Sequence, residues 1–209
     1  MNPPVIAPLA PASLELGNVW HTPASADSEL APMAGVTSAE RRPQVRREAI
    51  SLRPARATDV PDILAMIREL AAFENLEDEL EVTAASLEES LFGPHPAAAS
   101  IVALVGPQAV GYAIYYHTFS SFVGRPGIFL DDIYVRPAHR QQGIGRALLE
   151  RVAQIGTERR CARFEWIALR WNENALRFYK SVGAHDLDEW VLLRMGGRCM
   201  RELAEGAGL

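Results

Sequence analysis

IYVRPAHRQQGIGRALLERV, residues 133–152, is the stretch on which the fold turns. It opens as the apolar end of a strand, Ile133–Val135, and crosses a short polar linker. It then enters a helix at Gly143 whose apolar stripe is Ile144, Leu148, Val152 and Ile155. The junction Arg140-Gln141-Gln142-Gly143-Ile144-Gly145-Arg146 has the form R-x-x-G-x-G. The first turn of a helix carries N–H groups with no intrahelical partner and lies at the positive end of the helix dipole, so it attracts anions. Glycine at 143 and 145 lets a pyrophosphate approach the backbone with no Cβ in the way. Arg140 and Arg146 add charge-assisted contacts. A dinucleotide-binding G-x-G-x-x-G would need glycine where Leu148 stands and a tighter turn from the strand, so a diphosphate ligand of another kind is expected.

On both sides of this junction strands and helices alternate. Ile50–Arg53 reads as a strand stopped by Pro54. Thr58 or Asp59 then caps a helix that tolerates Pro61 in its first turn and buries Ile63, Met66, Ile67 and Leu70. Thr83 starts a second helix, with Leu87 and Leu91 one turn apart and Gly93 as its stop. Ser100–Val105 and Ala109–Phe119, joined by Gly106-Pro107-Gln108, form an expected hairpin, and Ile128–Val135 a third long strand. After the helix from Gly143 to Ile155 come a strand at Ala162–Ala168, a helix at Asn174–Val182 ended by Gly183, and a last strand at Trp190–Met195. This order predicts an α+β domain on a mixed sheet.

The chain has 209 residues, a formal charge of -5 and a pI near 5.6, which argues against a general nucleic-acid binder. No apolar run approaches the roughly 18–20 residues that span a bilayer. Residues 1–48 carry seven prolines (Pro3, Pro4, Pro8, Pro11, Pro23, Pro32 and Pro43) among Ala and Ser, a composition that predicts a disordered extension. Arg41, Arg42, Arg46 and Arg47 would suit a transit peptide, but Glu15, Asp27, Glu29, Glu40 and Glu48 would not, and Met33 is an alternative start. With no basic n-region before an apolar core, a cytoplasmic protein is expected. Cys161 and Cys199 predict free thiols, and His95, His117 and His139 lack metal-ligand spacing, so no metal is expected.

The R-x-x-G-x-G junction after Ile133-Tyr134-Val135 resembles the acyl-CoA-binding motif of the GNAT N-acetyltransferase superfamily. Trp171-Asn172-Glu173-Asn174-Ala175-Leu176-Arg177-Phe178-Tyr179-Lys180-Ser181-Val182-Gly183-Ala184 resembles the motif that follows it there. Within that superfamily the chain is most similar to the diamine (spermidine/spermine) and thialysine acetyltransferases. The fragments that carry this are Arg68–Glu74, LFGPHP (Leu91–Pro96), GYAIYYHTF (Gly111–Phe119), Val123–Arg125, LDDIYV and WNENALRFYK. The resemblance implies a single domain over residues 49–209 with a partly split mixed sheet, acetyl-CoA as cosubstrate, and a homodimer to which the last strand contributes. It places the pantetheine arm on the backbone of Ile133, Tyr134 and Val135, and the pyrophosphate on Gln141, Gln142, Gly143, Ile144, Gly145 and Arg146. Asn172, Asn174 and Ala175 would lie near the thioester. Tyr179 would protonate the departing thiolate, a phenol of pKa about 10 serving a thiol of about 8.5.

Asp131 and Asp132 follow from strand geometry as well. Neighbouring residues on a strand face opposite sides, so the two serve one site only if the strand is bulged there. A substrate amine of pKa near 10 arrives protonated and needs a base, for which Asp131, or Asp132 through water, is the candidate. By resemblance, Phe73, Glu74 and Glu165 join them in binding a small amine substrate. Glu77, Asp78, Glu79 and Glu81 read as a solvated acidic face. Relatives carry Leu-Glu-Asp where this chain has Leu130-Asp131-Asp132, and Trp where it has Phe122, which separates its specificity from theirs. No Cys or Ser stands where a covalent acetyl intermediate would need it, so direct attack by the amine is expected. Two alternatives stay open: a protein or peptide N-acetyltransferase, and an acetyl-CoA-binding regulatory domain without turnover.

Overall fold

A computed structural model describes residues 49–206; the expected extension at 1–48 lies outside them. The chain divides into two compact units whose boundary falls between Glu165 and Trp166. The first unit holds β1 (Ile50–Pro54), α1 (Val60–Glu74), α2 (Ala84–Phe92), β2 (Ala99–Val105), β3 (Gln108–Ser120), β4 (Arg125–Val135) and α3 (Ile144–Glu158). The short edge strand β5 (Phe164–Trp166) carries the boundary between its second and third residues. The second unit holds α4 (Glu173–Ser181) and α5 (Gly197–Gly206).

The sheet has the order β1-β2-β3-β4-β5, and the first three pairings are antiparallel. Gly106, at φ +57°, takes the first position of the two-residue turn between β2 and β3, where a positive φ matches the twist of the strands. Beside β4 the chain climbs in the same direction: Ala162 N–H donates to Pro126 O (2.7 Å) and Ile128 N–H to Arg163 O (3.0 Å). The sheet is therefore mixed, and β5 accompanies only the Arg125 half of β4.

Alternation along β3 assigns the two faces. Tyr112, fully buried, packs with Val60, Ile63, Leu64 and Met66 of α1 and Leu87 and Leu91 of α2. Its neighbour Gly111 faces the other way, where a Cβ would come within 3.5 Å of Leu148 on α3. Helices thus cover both faces, and α3 buries the predicted stripe Ile144, Leu148, Val152 and Ile155. Each such side chain contributes about 1.5–3 kcal/mol on leaving water.

Three expectations change. Asp59 precedes α1, but its side chain caps no helix N–H; the carboxylate takes Arg53 Nη1 and Nη2 at 2.6 and 2.8 Å and Arg56 N–H at 2.7 Å. A guanidinium fork satisfies both oxygens better than one helix amide would. The strand expected over Ala162–Ala168 is confined to Phe164–Trp166, since Ala162 and Arg163 bond to β4 from outside a regular ladder. Trp190–Met195, on which the expected dimer contact rests, forms no strand; apolar β-formers make one only where a ladder partner exists, and here Trp190, Val191, Leu192 and Leu193 are exposed. The helix α5 follows instead, from a segment that carried no expectation. By contrast Thr83 caps α2 as expected, its Oγ1 accepting from Ser86 N–H at 3.1 Å.

Candidate active site

The ladder between β3 and β4 slips once. Ile114 stands opposite Asp132, and Tyr115 opposite Leu130, so Asp131 is the inserted residue of a bulge. This is the bulge that two adjacent acids at one site require. Asp132, opposite Ile114, shares the face of Tyr112 and Tyr134. The Tyr112 hydroxyl donates to Asp132 Oδ2 at 3.2 Å. Burial, followed by the charge of Asp131, pushes the Asp132 carboxyl up to about 6; the bond from Tyr112 opposes the rise and Glu74 adds to it. Tyr112 is itself pushed well above the usual phenol range by burial and then by Asp132. Glu74, the last residue of α1, is raised by burial. The first unit thus sets Glu74, Asp131 and Asp132 within electrostatic reach of Tyr112, a strongly negative spot.

Beyond the bulge β4 ends at Ile133, Tyr134 and Val135. Tyr134 hydroxyl donates to Glu69 Oε2 (3.2 Å), and Arg136 ties the strand end to Glu69 Oε1 (3.1 Å) and to Ala109 O (2.9 Å). The Arg140 guanidinium lies 5.3 Å from the Phe73 ring centre and 5.4 Å from that of Tyr134, and its Nε donates to Val135 O at 2.9 Å. Phe73 therefore contacts Arg140, in a cation–π arrangement.

At the start of α3, Gln141 and Gly143 take left-handed φ of +60° and +84°. The N-cap residue is Gly143, and no side chain caps the first amides of α3. A Cβ at Gly143 would meet nothing within 4 Å, and one at Gly145 only Val135 Cγ2 at 3.9 Å. The helix start thus lies open and uncapped, a fit for a pyrophosphate. Its need for glycine at 143 comes from the left-handed φ. Gln142 Nε2 bonds to Ala138 O at 3.3 Å, Ile144 is buried, and Arg146 pairs with Glu150 at 2.9 Å. Glu165 on β5 pairs with Arg163 at 2.7 Å.

In the second unit Asn172 caps α4, its Oδ1 accepting from Ala175 N–H at 3.2 Å. Asn174 Oδ1 accepts from Arg177 Nη2 at 2.5 Å. Tyr179 is half-buried, its ring centre 5.0 Å from that of Trp166 and 5.4 Å from that of Phe178. Tyr112 and Glu69 carried no expectation from sequence. The signal for Tyr112 was its parity with Ile114, which a bulge at Asp131 places on the face of Asp132.

Among the described residues no group of His, Cys, Asp and Glu is arranged to hold a metal, and no helix is long and apolar enough to cross a membrane. Residues 64–184 match the acetyltransferase (GNAT) family, a span that includes parts of both units. The chain is 39% identical over 164 residues to thialysine N-epsilon-acetyltransferase of Mus musculus, covering 73% of this chain and 96% of that one. It is 35% identical over 171 residues to spermidine/spermine N(1)-acetyltransferase-like protein 1 of Homo sapiens, covering 77% of this chain and 24% of that one. Among solved structures, an integron cassette protein from the mobile metagenome of V. cholerae matches with a TM-score of 0.64 and 25% identity, over 75% of this chain and 98% of that one. The chain belongs to the GNAT acetyltransferase family and is an acetyl-CoA-dependent N-acetyltransferase acting on amines.

Proposed function

We propose that the amine is a primary amine of a small polyamine-like or amino-acid-like cation, and that it attacks the acetyl group directly. The observation that carries this reading is the bulge at Asp131, which gathers Asp131, Asp132 and Glu74 around one spot. Such a cluster favours a compact cation that carries a second charge away from the reacting nitrogen. The names of the relatives, thialysine and spermidine/spermine acetyltransferases, agree with that chemistry.

Acetyl-CoA, when bound, supplies an activated thioester. The chain's own residues do the rest. Backbone of Ile133, Tyr134 and Val135 holds the pantetheine arm as an added strand does. Gln141, Gln142, Gly143, Ile144, Gly145 and Arg146 cradle the pyrophosphate, with Arg140 beside them. Asn172, Asn174 and Ala175 line the thioester, and Phe73 and Glu165 help seat the amine. Asp131, or Asp132 through water, takes the ammonium proton, and Tyr179 gives one to sulfur. A homodimer is part of the same proposal, resting on resemblance to the diamine branch, and so is a place in the cytoplasm, resting on the sequence pattern alone.

The test is CoA release from acetyl-CoA against spermidine, spermine, putrescine, thialysine, lysine and a peptide, with Tyr179→Phe beside wild type. Turnover with a small amine that falls about 10²-fold or more in the variant is the expected result. Preference for the peptide would replace the small-amine reading. Binding of acetyl-CoA with no amine-dependent release would overturn it.

A further inference from the structure

Alternation along β3 and β4 carries one face of the sheet past the bulge. Ile114 and Asp132 lie on it, and beyond the bulge so do Tyr116 opposite Phe129 and Thr118 opposite Gly127. Tyr116 and Phe129 are half-buried and stack with ring centres 5.2 Å apart. Burial and then the charge of Asp131 push the Tyr116 phenol up, so this aromatic pair adjoins the acids. A Cβ on Gly127 would stand 2.5 Å from Thr118 Oγ1 and 3.5 Å from Arg163 Nε, which places the Arg163 side chain on the same face. Arg163 Nε pairs with Glu165 Oε2 at 2.7 Å. Thr118 Oγ1 is buried and has no hydrogen-bond partner among the described residues.

A seat for a substrate that is cationic throughout has no use for a guanidinium on this face, because like charges repel. The head of an α-amino acid does: its carboxylate matches Arg163 and its ammonium matches Glu165. A guanidinium carries five N–H donors in a planar fork, and the contact with Glu165 is made by Nε. A buried hydroxyl left unmet is costly, and Thr118 can turn its O–H to a carboxylate oxygen at the same place. The spacing agrees. Ile128 N–H bonds to Arg163 O, and the chain there runs in the direction of β4, so Glu165 stands near the level of Leu130. The contact with Glu165 turns Arg163 along the strand toward the bulge. Two to three residues of β4 then separate it from Asp131, about 7–10 Å, which suits the distance from the side-chain nitrogen of an extended lysine to its carboxylate.

We propose that Arg163 and Thr118 form a seat for a carboxylate of the substrate, with Glu165 on its α-ammonium and the Tyr116–Phe129 pair under the intervening methylenes. The substrate class is then an α-amino acid with a terminal side-chain amine, of about the length of lysine. This rests on the amine acetyltransferase reading above and narrows it. The acetyl group passes from sulfur to the side-chain nitrogen, CoA leaves as the thiol, and the ammonium R–NH3+ releases one proton to solvent for each amide formed.

The experiment compares kcat/KM for lysine, lysinamide and cadaverine in wild type, Arg163→Gln and Thr118→Val. Cadaverine is lysine without its carboxylate, and lysinamide keeps both amines and loses only the negative charge. Wild type is expected to favour lysine over each of the others by about 10- to 100-fold. Arg163→Gln brings that ratio to about threefold or less, and Thr118→Val, which keeps the shape and removes the hydroxyl, lowers it about three- to tenfold. Because a loss of folded enzyme scales all three substrates alike, the ratio reads the seat alone. Mass-spectrometric fragmentation of the lysine product is expected to place the acetyl group on the side-chain nitrogen. A wild type that uses cadaverine or lysinamide as well as lysine, or a ratio unchanged in Arg163→Gln, overturns the carboxylate seat while leaving the acetyltransferase reading intact. A wild type that turns over no amine at all overturns that reading first.

Discussion

At the scale of single residues, charge is placed where the fold can hold it. Arg53 and Asp59 form a forked pair at 2.6 and 2.8 Å that pins β1 to the start of α1. The hydrogen bonds from Arg53 hold the Asp59 carboxyl below the usual carboxylate range despite its burial. A depressed folded value means that the stabilisation is complete above the unfolded pKa of about 4 and is lost as pH falls through the lower folded value. Asp59→Asn is therefore expected to cost about 1–3 kcal/mol in urea unfolding at pH 7, and to narrow its gap from wild type as the pH is taken well below 4. An equal gap at all pH values would contradict the ion-pair account. The same scale shows what sequence could reveal of the site. Two adjacent acids on a strand demand a bulge if both are to act, and the bulge lies at Asp131. Tyr112 stayed hidden, because a tyrosine on an apolar strand looks like core until the ladder register shows which carboxylate it meets.

At the scale of elements, most of the first unit was legible because its signals are local. The helical stripe of α3, the cap at Thr83 and the alternation of β2 and β3 each act within a few residues. The junction before α3 makes a sharper prediction. Gly143 sits at φ +84° with open space over it, so Gly143→Ala strains the backbone without meeting a neighbour. The expected result is a KM for acetyl-CoA raised about tenfold with little change in the KM for the amine, measured under saturating partner in each case. Equal loss for both substrates would mean that the loop does not hold the cosubstrate. The misread elements depend on distant partners. Trp190–Met195 is apolar enough for a strand but has no ladder, and α5 begins at Gly197, a residue that ordinarily reads as a stop.

At the scale of the whole molecule, the sheet brings residues from α1, β3 and β4 to one bulge, which no short window of sequence contains. Family motifs at Arg140–Arg146 and Trp171–Ala184 recovered the activity because the uncapped start of α3 and the Asn-capped α4 are written in contiguous residues. The acids at the bulge come from separate elements, and the chain departs from its relatives at Asp131 and Phe122, so the amine has to be found by experiment. The most direct measurement is mass-spectrometric quantification of products from acetyl-CoA and a small diamine or lysine analogue. Purified protein is expected to form one N-acetylated amine for each CoA released, and neither product without the amine. CoA released at the same rate whether or not the amine is present, with no acetylated product, would contradict transfer to an amine.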